Sequence, residues 1–181
     1  MGTTRRRHAP EPTPGSPADL APDADPEAVA RGIVLRQLTM APRSRAQLAT
    51  ALADRGADDD VARRVLDRFE QVGLVDDAEF AAGWVRSRHR VRGLSRRALA
   101  HELRAKGIDD ELAAQALASI DEDDERSAAE QLVQRRLRSM ADVPREKQLS
   151  RLVGLLARKG YGGSMALAVV RAALDGADEG R

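Results

Sequence analysis

The residues best suited to chemistry in this 181-residue chain are the cations between Arg86 and Lys106. This stretch carries eight basic residues and only one acid, Glu102, so its formal net charge is +7. Guanidinium groups bind phosphates and carboxylates through paired hydrogen bonds, and clustered positive charge attracts polyanions. The stretch therefore predicts a surface that binds phosphate groups or an acidic groove on a protein. Its candidate binding residues are Arg86, Arg88, Arg90, Arg92, Arg96, Arg97, Arg104 and Lys106.

Helical spacing divides these cations among several faces. Arg86 and Arg90 stack at i, i+4, and a stripe on the next helix holds Arg97, His101 and Arg104. Phe80, Trp84 and Val91 share another face, which we expect to serve the core, with Arg88 at its edge. Because this register assigns the one nearby aromatic, Trp84, to the core, nucleic-acid binding through base stacking is disfavoured. Any affinity for nucleic acid should be directed at the backbone, sensitive to salt and indifferent to sequence.

The sequence contains no residue set typical of catalysis or metal binding. The histidines His8, His89 and His101 have no matching acids or nucleophiles, and HExxH and CxxC motifs are absent. The acidic run Asp121 to Glu125 lacks the spacing of a calcium loop, so we interpret it as a solvated linker between repeats. The glycine-rich stretch from Gly160 to Ser164 lacks the ending of a phosphate loop. We expect a protein that is not an enzyme and that uses no cofactor or metal.

Composition narrows the class of protein further. The formal net charge is +1 although 33% of residues are charged, and there is no cysteine. No apolar run approaches the length of about 20 residues that spans a bilayer. We therefore expect a cytoplasmic protein that does not bind membranes. Six of the eight prolines lie between Pro10 and Pro26, which predicts a disordered tail over residues 1–26.

After the tail the chain repeats itself at offsets of 51 and 53 residues. The repeated skeleton is Leu-x-x-x-Leu-x-x-x-Gly, in which the two leucines share one helical face and the glycine stops the helix. The corresponding residues are Leu48, Leu99 and Leu152, then Leu52, Leu103 and Leu156, then Gly56, Gly107 and Gly160. Ala57, Ile108 and Tyr161 are placed to complete a Schellman motif, and Asp58 and Asp109 to cap the following helix.

A further helix precedes each of these pairs, and the same offsets align Val29 with Phe80 and Val133, and Ile33 with Trp84 and Leu137. Pro42, Gly93 and Pro144 separate it from the rest of its repeat. The fold class predicted is all-α, an elongated array of three tandem three-helix repeats without sheet. The predicted bounds are residues 27–76, 77–122 and 123–175, with a flexible C-terminus over 176–181. In the middle repeat Phe80, Trp84, Leu99, Leu103 and Gly107 should maintain the fold.

The middle repeat and the residues just before it contain a longer motif: Gly73-Leu-Val-Asp-Asp77, then Phe80, Trp84, Val85, Arg88, Gly93 and Ser95, and then Leu99-x-x-x-Leu-x-x-x-Gly-Ile108. This motif resembles the signature of the RecX family of recombinase regulators. The resemblance covers roughly residues 27–175, and the outer repeats match mainly in helical pattern.

The resemblance implies a modulator of the RecA recombinase. Proteins of this family bind in the groove of the RecA filament on single-stranded DNA. They limit filament growth, ATP hydrolysis, strand exchange and the co-protease activity that triggers the SOS response. By position in the motif, the basic residues of the middle repeat would contact RecA or DNA, and we expect the protein to act as a monomer.

Two other classes of function fit parts of the sequence. Residues 44–76 resemble a winged-helix transcription regulator whose recognition helix would span about 59–72, although another helix instead of a β-hairpin wing is predicted after Asp77. A scaffold that binds protein without nucleic acid would differ by lacking salt-dependent DNA binding.

Overall fold

The structure, a computed structural model, describes residues 25–179, and the regular secondary structure in that range is helical. The helices within it are α1 (Pro26–Met40), α2 (Arg45–Ala53), α3 (Asp59–Gln71), α4 (Asp77–Arg92), α5 (Arg96–Ala105), α6 (Asp110–Leu117), α7 (Glu122–Leu137), α8 (Arg145–Arg158) and α9 (Gly163–Glu179). Three helices per repeat and the all-α class are thereby confirmed for this part of the chain. The predicted tail lies outside the described residues except for Asp25, which caps α1, and Pro26.

The repeated leucine and glycine skeleton does what its spacing predicts. All six leucines are at most 1% exposed, and the three glycines have positive φ angles of 74°, 75° and 90°. In the middle repeat the Ile108 N–H donates to the Leu103 carbonyl at 3.1 Å and the Gly107 N–H to Arg104 at 2.9 Å. Both outer repeats form the same pair of bonds, through Ala57 and Tyr161. Each second helix therefore ends in the predicted Schellman motif.

The helix starts also follow the repeat. Asp58 and Asp109 accept hydrogen bonds from the first turns of α3 and α6, as predicted. Ser44 and Ser95 cap α2 and α5 and are fully buried. Their counterpart in the third repeat, Gln148, is also buried but lies inside α8, where its side chain donates to the Met140 carbonyl at 2.7 Å. In every repeat the side chain at this position therefore forms a hydrogen bond with a backbone group.

The predicted alignment of the first helices is wrong in the third repeat. A fully buried alanine and valine four residues apart mark this helix in α1 as Ala30 and Val34 and in α4 as Ala81 and Val85. In α7 the same pair is Ala129 and Val133. Val133 therefore corresponds to Val85 and not to Phe80. The offset fails because the connection from α7 to α8 is longer than that from α4 to α5, and the leucine skeleton beyond it cannot reveal the insertion.

The described part of the chain divides into two compact units, one that ends at Val75 and one that begins at Asp76. Within the first unit, α1, α2 and α3 enclose a core that includes Val34, Leu48, Leu52 and Phe69. The second unit contains the middle and third repeats, each around its own core, one including Leu99 and Leu103 and the other Leu152 and Leu156.

The second unit is held together where the end of α8 meets the start of α5. The Ser95 N–H donates to the Lys159 carbonyl at 3.0 Å. A Cβ atom placed on Gly160 would lie 2.5 Å from Ser95 Oγ and 2.7 Å from Ala98 Cβ. Gly160 thus provides both a left-handed helix stop and room for the middle repeat to approach its backbone.

Two local predictions are corrected by the structure. Val91 is 69% exposed and lies outside the core, because it follows Trp84 by seven residues near the end of α4, beyond the reach of the middle core. The acidic run is not a linker, since Asp121 caps α7 and the next four acids form its first turn. Acids are favoured there because the amino end of a helix is positive.

Substituting Gly160 tests the contact between the repeats. We expect Gly160→Ala to destabilise the second unit by about 2–5 kcal/mol, from left-handed backbone strain together with overpacking against Ser95 and Ala98. Urea unfolding followed by circular dichroism measures the change. Gly56→Ala is the matched control, because Gly56 also has a positive φ and no atom lies within 4 Å of the added Cβ. Equal stability of the two variants would contradict the close packing.

Candidate interaction surface

The basic stretch is folded into a corner between α4 and α5. Gly93 ends α4 in a left-handed conformation with φ of 58°, and Ser95 caps α5 two residues later. Four arginines therefore lie on either side of a very short turn, and all four are exposed. We call them the corner arginines: Arg90, Arg92, Arg96 and Arg97.

The other four predicted binding residues have partners within the protein. Arg86 pairs with Glu79 at 3.0 Å, and Arg104 with Asp110 at 2.7 Å, both in exposed ion pairs. Arg88 and Lys106 both lie over the Trp84 ring, with the Arg88 guanidinium carbon 4.1 Å and the Lys106 ammonium nitrogen 3.9 Å from its centroid. Within residues 25–179, no ion pair engages the side chains of the corner arginines, so these arginines carry the positive charge most available to a partner.

Trp84 and Glu102 organise the cluster beside the corner. The indole N–H of Trp84 donates to Glu102 Oε2 at 2.7 Å, and Arg88 Nε lies 3.8 Å from the same oxygen. Phe80 stacks against Trp84 with the ring centroids 5.9 Å apart. Phe80 is buried while Trp84 is only half-buried, so Trp84 joins the edge of the core and its cations instead of the interior. Each cation–π contact contributes on the order of 0.5–2 kcal/mol.

The positive charge at the start of α5 opposes the usual preference of a helix. Arg96 and Arg97 occupy its first turn, which contains no acid, although the amino end of a helix favours negative charge. The third repeat supplies the missing charge, because Glu125 on α7 accepts a hydrogen bond from the Arg96 backbone N–H at 2.9 Å. The sequence at the start of α5 thus goes against the preference of a helix for acids in its first turn, and such departures are typical of functional surfaces.

The third repeat also fixes the turn itself. The Tyr161 hydroxyl, which is buried, donates to the Gly93 carbonyl at 3.1 Å, and Lys159 Nζ donates to the Arg92 carbonyl at 2.8 Å. On the other side of the turn His89 Nδ1 lies 2.9 Å from the Leu94 carbonyl oxygen. Since the carbonyls of the turn are bound, the corner arginines project from a fixed backbone.

Sequence reasoning missed the residues that hold the corner. Tyr161 was assigned only to its own helix stop, and Glu125 to a linker. Each contact joins two repeats through residues that are more than 25 positions apart in the chain. No local spacing reveals such pairs. Glu102 had one visible signal, because it is the only acid in the basic stretch.

Among the described residues, no group of three or more histidine and acidic side chains could hold a metal ion. No helix in the same range has the length and apolar character needed to cross a membrane.

The ionisation of Tyr161 should report on the corner. Burial raises the pKa of Tyr161 to about 12, and the charge of Glu125 acts in the same direction. Because the folded state favours the protonated phenol, the stabilisation is present below about pH 10 and is lost as the pH rises to about 12, with a size of about 2–3 kcal/mol. The free energy of unfolding, measured with urea from pH 9 to 12, should show this fall in the wild-type protein but not in Tyr161→Phe. An identical pH profile in the two proteins would contradict the assignment.

Removal of the Glu102 carboxylate should loosen the Trp84 cluster. We expect Glu102→Ala to lower the unfolding free energy by about 1–2 kcal/mol and to shift Trp84 emission to longer wavelength, as the indole loses its acceptor and gains water. The fluorescence comes from one tryptophan, since the sequence has no other. Glu102→Gln keeps an acceptor without the charge and separates the hydrogen bond from the ion pair. Wild-type emission in Glu102→Ala would rule out the bond.

Comparison with known proteins shows which family this chain resembles. A model described as the second three-helix domain of RecX matches residues 76–117, and one for the first three-helix domain of RecX matches residues 30–69. A protein named regulatory protein RecX from Streptomyces coelicolor is 51% identical over 154 residues, which cover 85% of this chain and 82% of the relative. A protein of the same name from Thermobifida fusca is 48% identical, and the alignment covers 89% of this chain and 87% of that relative.

A solved structure has the same fold. The crystal structure of RecX from Lactobacillus salivarius aligns with a TM-score of 0.73 at 18% identity and covers 83% of this chain and 97% of its own. The family models, the level of identity and the fold agree, and the chain belongs to the RecX family, whose proteins are regulators and not enzymes.

Proposed function

We propose that this protein is a negative modulator of the RecA recombinase that binds the RecA filament on single-stranded DNA. Binding would limit filament growth, ATP hydrolysis, strand exchange and co-protease activity. The observation that carries the proposal is the corner: four exposed arginines on a fixed turn, without ion pairs to other described residues. A filament on DNA offers the phosphates and acidic protein surface that such a site binds.

The arrangement favours recognition of charge over recognition of sequence. Direct reading of DNA bases needs a helix placed in the major groove, or aromatic side chains on which single-stranded bases stack. Trp84 is the one aromatic near the corner that is not fully buried, and Arg88, Lys106 and Glu102 already occupy it. Contact with DNA would therefore be with its backbone, weak without RecA and independent of sequence. The proposal places the protein in the cytoplasm as a monomer.

The alternative of a winged-helix transcription regulator has less support. Its recognition helix would correspond to α3, which is a well-capped helix, but its wing would follow Asp77. That position begins the 16-residue helix α4. Acidic residues also surround the start of α3, where Asp58, Asp59 and Asp60 would repel DNA phosphates.

Inhibition of RecA by a corner variant tests the proposal. Wild-type protein, added at less than one copy per RecA, should slow ATP hydrolysis by RecA on single-stranded DNA. Replacing Arg90, Arg92 and Arg97 with Gln should raise the concentration needed for half inhibition by about tenfold or more, because three charge contacts are removed. Arg88 is left intact, since it also supports Trp84.

The matched control removes the same charge from elsewhere in the second unit, at the exposed residues Arg126, Arg136 and Arg171. It should inhibit almost as well as wild type. Failure of the wild-type protein to slow hydrolysis would refute the proposed function, and equal loss in both variants would remove the corner from the mechanism.

A further inference from the structure

The outward face of α8 is a second basic surface, separate from the corner. Leu152 and Leu156 fix the buried side of this helix. Roughly opposite, at i, i+4 and i+11, lie Lys147, Arg151 and Arg158, which we call the α8 basic face. All three are exposed, and none forms an ion pair with a residue in the range 25–179. No acid interrupts the face, which is flanked by the small residues Ser150, Gly154 and Ala157.

The repeat explains why this surface is open. Arg151 corresponds to Ala98 of the middle repeat at the offset of 53. Ala98 packs against Gly160 of the next repeat, where a larger side chain would not fit. In the third repeat no described residue covers the same face, and cations replace Leu94, Ala98 and Ala105. The residues of the α8 basic face are therefore not needed for the three-helix fold.

A repeat face that is open to water needs polar residues, but that need does not select one sign of charge. Mixed acids and bases would keep the surface hydrated equally well and would add ion pairs along the helix. Here the face is entirely positive. Arg158 lies back along the helix, with Nη1 3.4 Å from the position of a Cβ on Gly154. The missing side chain of Gly154 thus leaves room for the Arg158 guanidinium to lie against the helix, on the same side as the other two cations.

We propose that the α8 basic face binds the sugar-phosphate backbone of nucleic acid. A nucleic-acid strand carries a charge about every 3.4 Å, and three cations spread over about 16 Å of helix suit such a linear array. An acidic protein would be expected to find an aromatic or large apolar anchor. Beside the cations this face offers the small residues Ser150, Gly154 and Ala157, and its one large apolar neighbour, Leu155, is only part-exposed.

The second surface is connected to the first within one unit. Arg158 precedes Lys159, whose carbonyl accepts the N–H of Ser95, and the corner residues Arg96 and Arg97 follow Ser95 directly. A strand bound along α8 would thus reach the corner at the end of the helix. This inference concerns DNA binding by the protein alone and does not depend on the proposed action on RecA.

Binding of a fluorescent single-stranded oligonucleotide without RecA, measured by anisotropy at several salt concentrations, tests the proposal. The full-length variant Lys147→Gln, Arg151→Gln, Arg158→Gln should bind at least about tenfold more weakly at low salt. The slope of log affinity against log salt should fall by about 2, at roughly 0.7 for each lost phosphate contact. The control Arg126→Gln, Arg136→Gln, Arg171→Gln should change the slope by less than half as much. Circular dichroism checks that both variants are folded.

Other outcomes overturn the proposal in distinct ways. Equal effects of the two variants would mean that net charge alone governs binding. Unchanged DNA binding together with dimers in sedimentation experiments would make the face an end cap that prevents association. Unchanged DNA binding with loss of RecA inhibition would make it a surface for protein. Failure of the proposed RecA function is read separately, from inhibition by the wild-type protein.

Discussion

The second unit depends on the contact of Gly160 with the start of α5. A helix stop needs a residue that tolerates positive φ, and the approach of Ser95 and Ala98 needs one without a side chain. One glycine meets both requirements. Around it the Ser95 N–H, the Gly93 carbonyl and the Arg92 carbonyl find their partners on the third repeat. The backbone that carries the corner arginines is therefore fixed by a neighbouring repeat as well as by its own.

Different residues of the repeats serve stability and function. Their leucines and helix stops are shared, while the charges on their outer faces differ from one repeat to the next. The acidic first turn of α7 joins these two roles. Its Glu125 neutralises the start of α5, so Arg96 and Arg97 can occupy a position that helices otherwise reserve for acids. The negative charge of the acidic run thus compensates the positive charge at the start of α5.

Much of this fold could be predicted because its rules are local. The spacing from Leu99 to Gly107 specifies a helix, its buried face and its stop within nine residues. The position of Val133 could not be predicted, because an insertion before α8 shifts the register without leaving a local mark. The basic stretch was also visible in the sequence. Which arginines form ion pairs within the described chain could not be predicted, since Glu79, Glu102 and Asp110 find their partners only in the folded chain.

The central claim is that the corner faces the RecA filament, and site-directed photocrosslinking tests it most directly. The chain has no cysteine, so a single cysteine can carry the crosslinker without removing any native thiol. Ser87→Cys places the probe three residues before Arg90 on α4, and Ala114→Cys places it at an exposed position on α6. The account predicts efficient crosslinking to RecA or to single-stranded DNA from position 87 and little from position 114. The reverse pattern would contradict it.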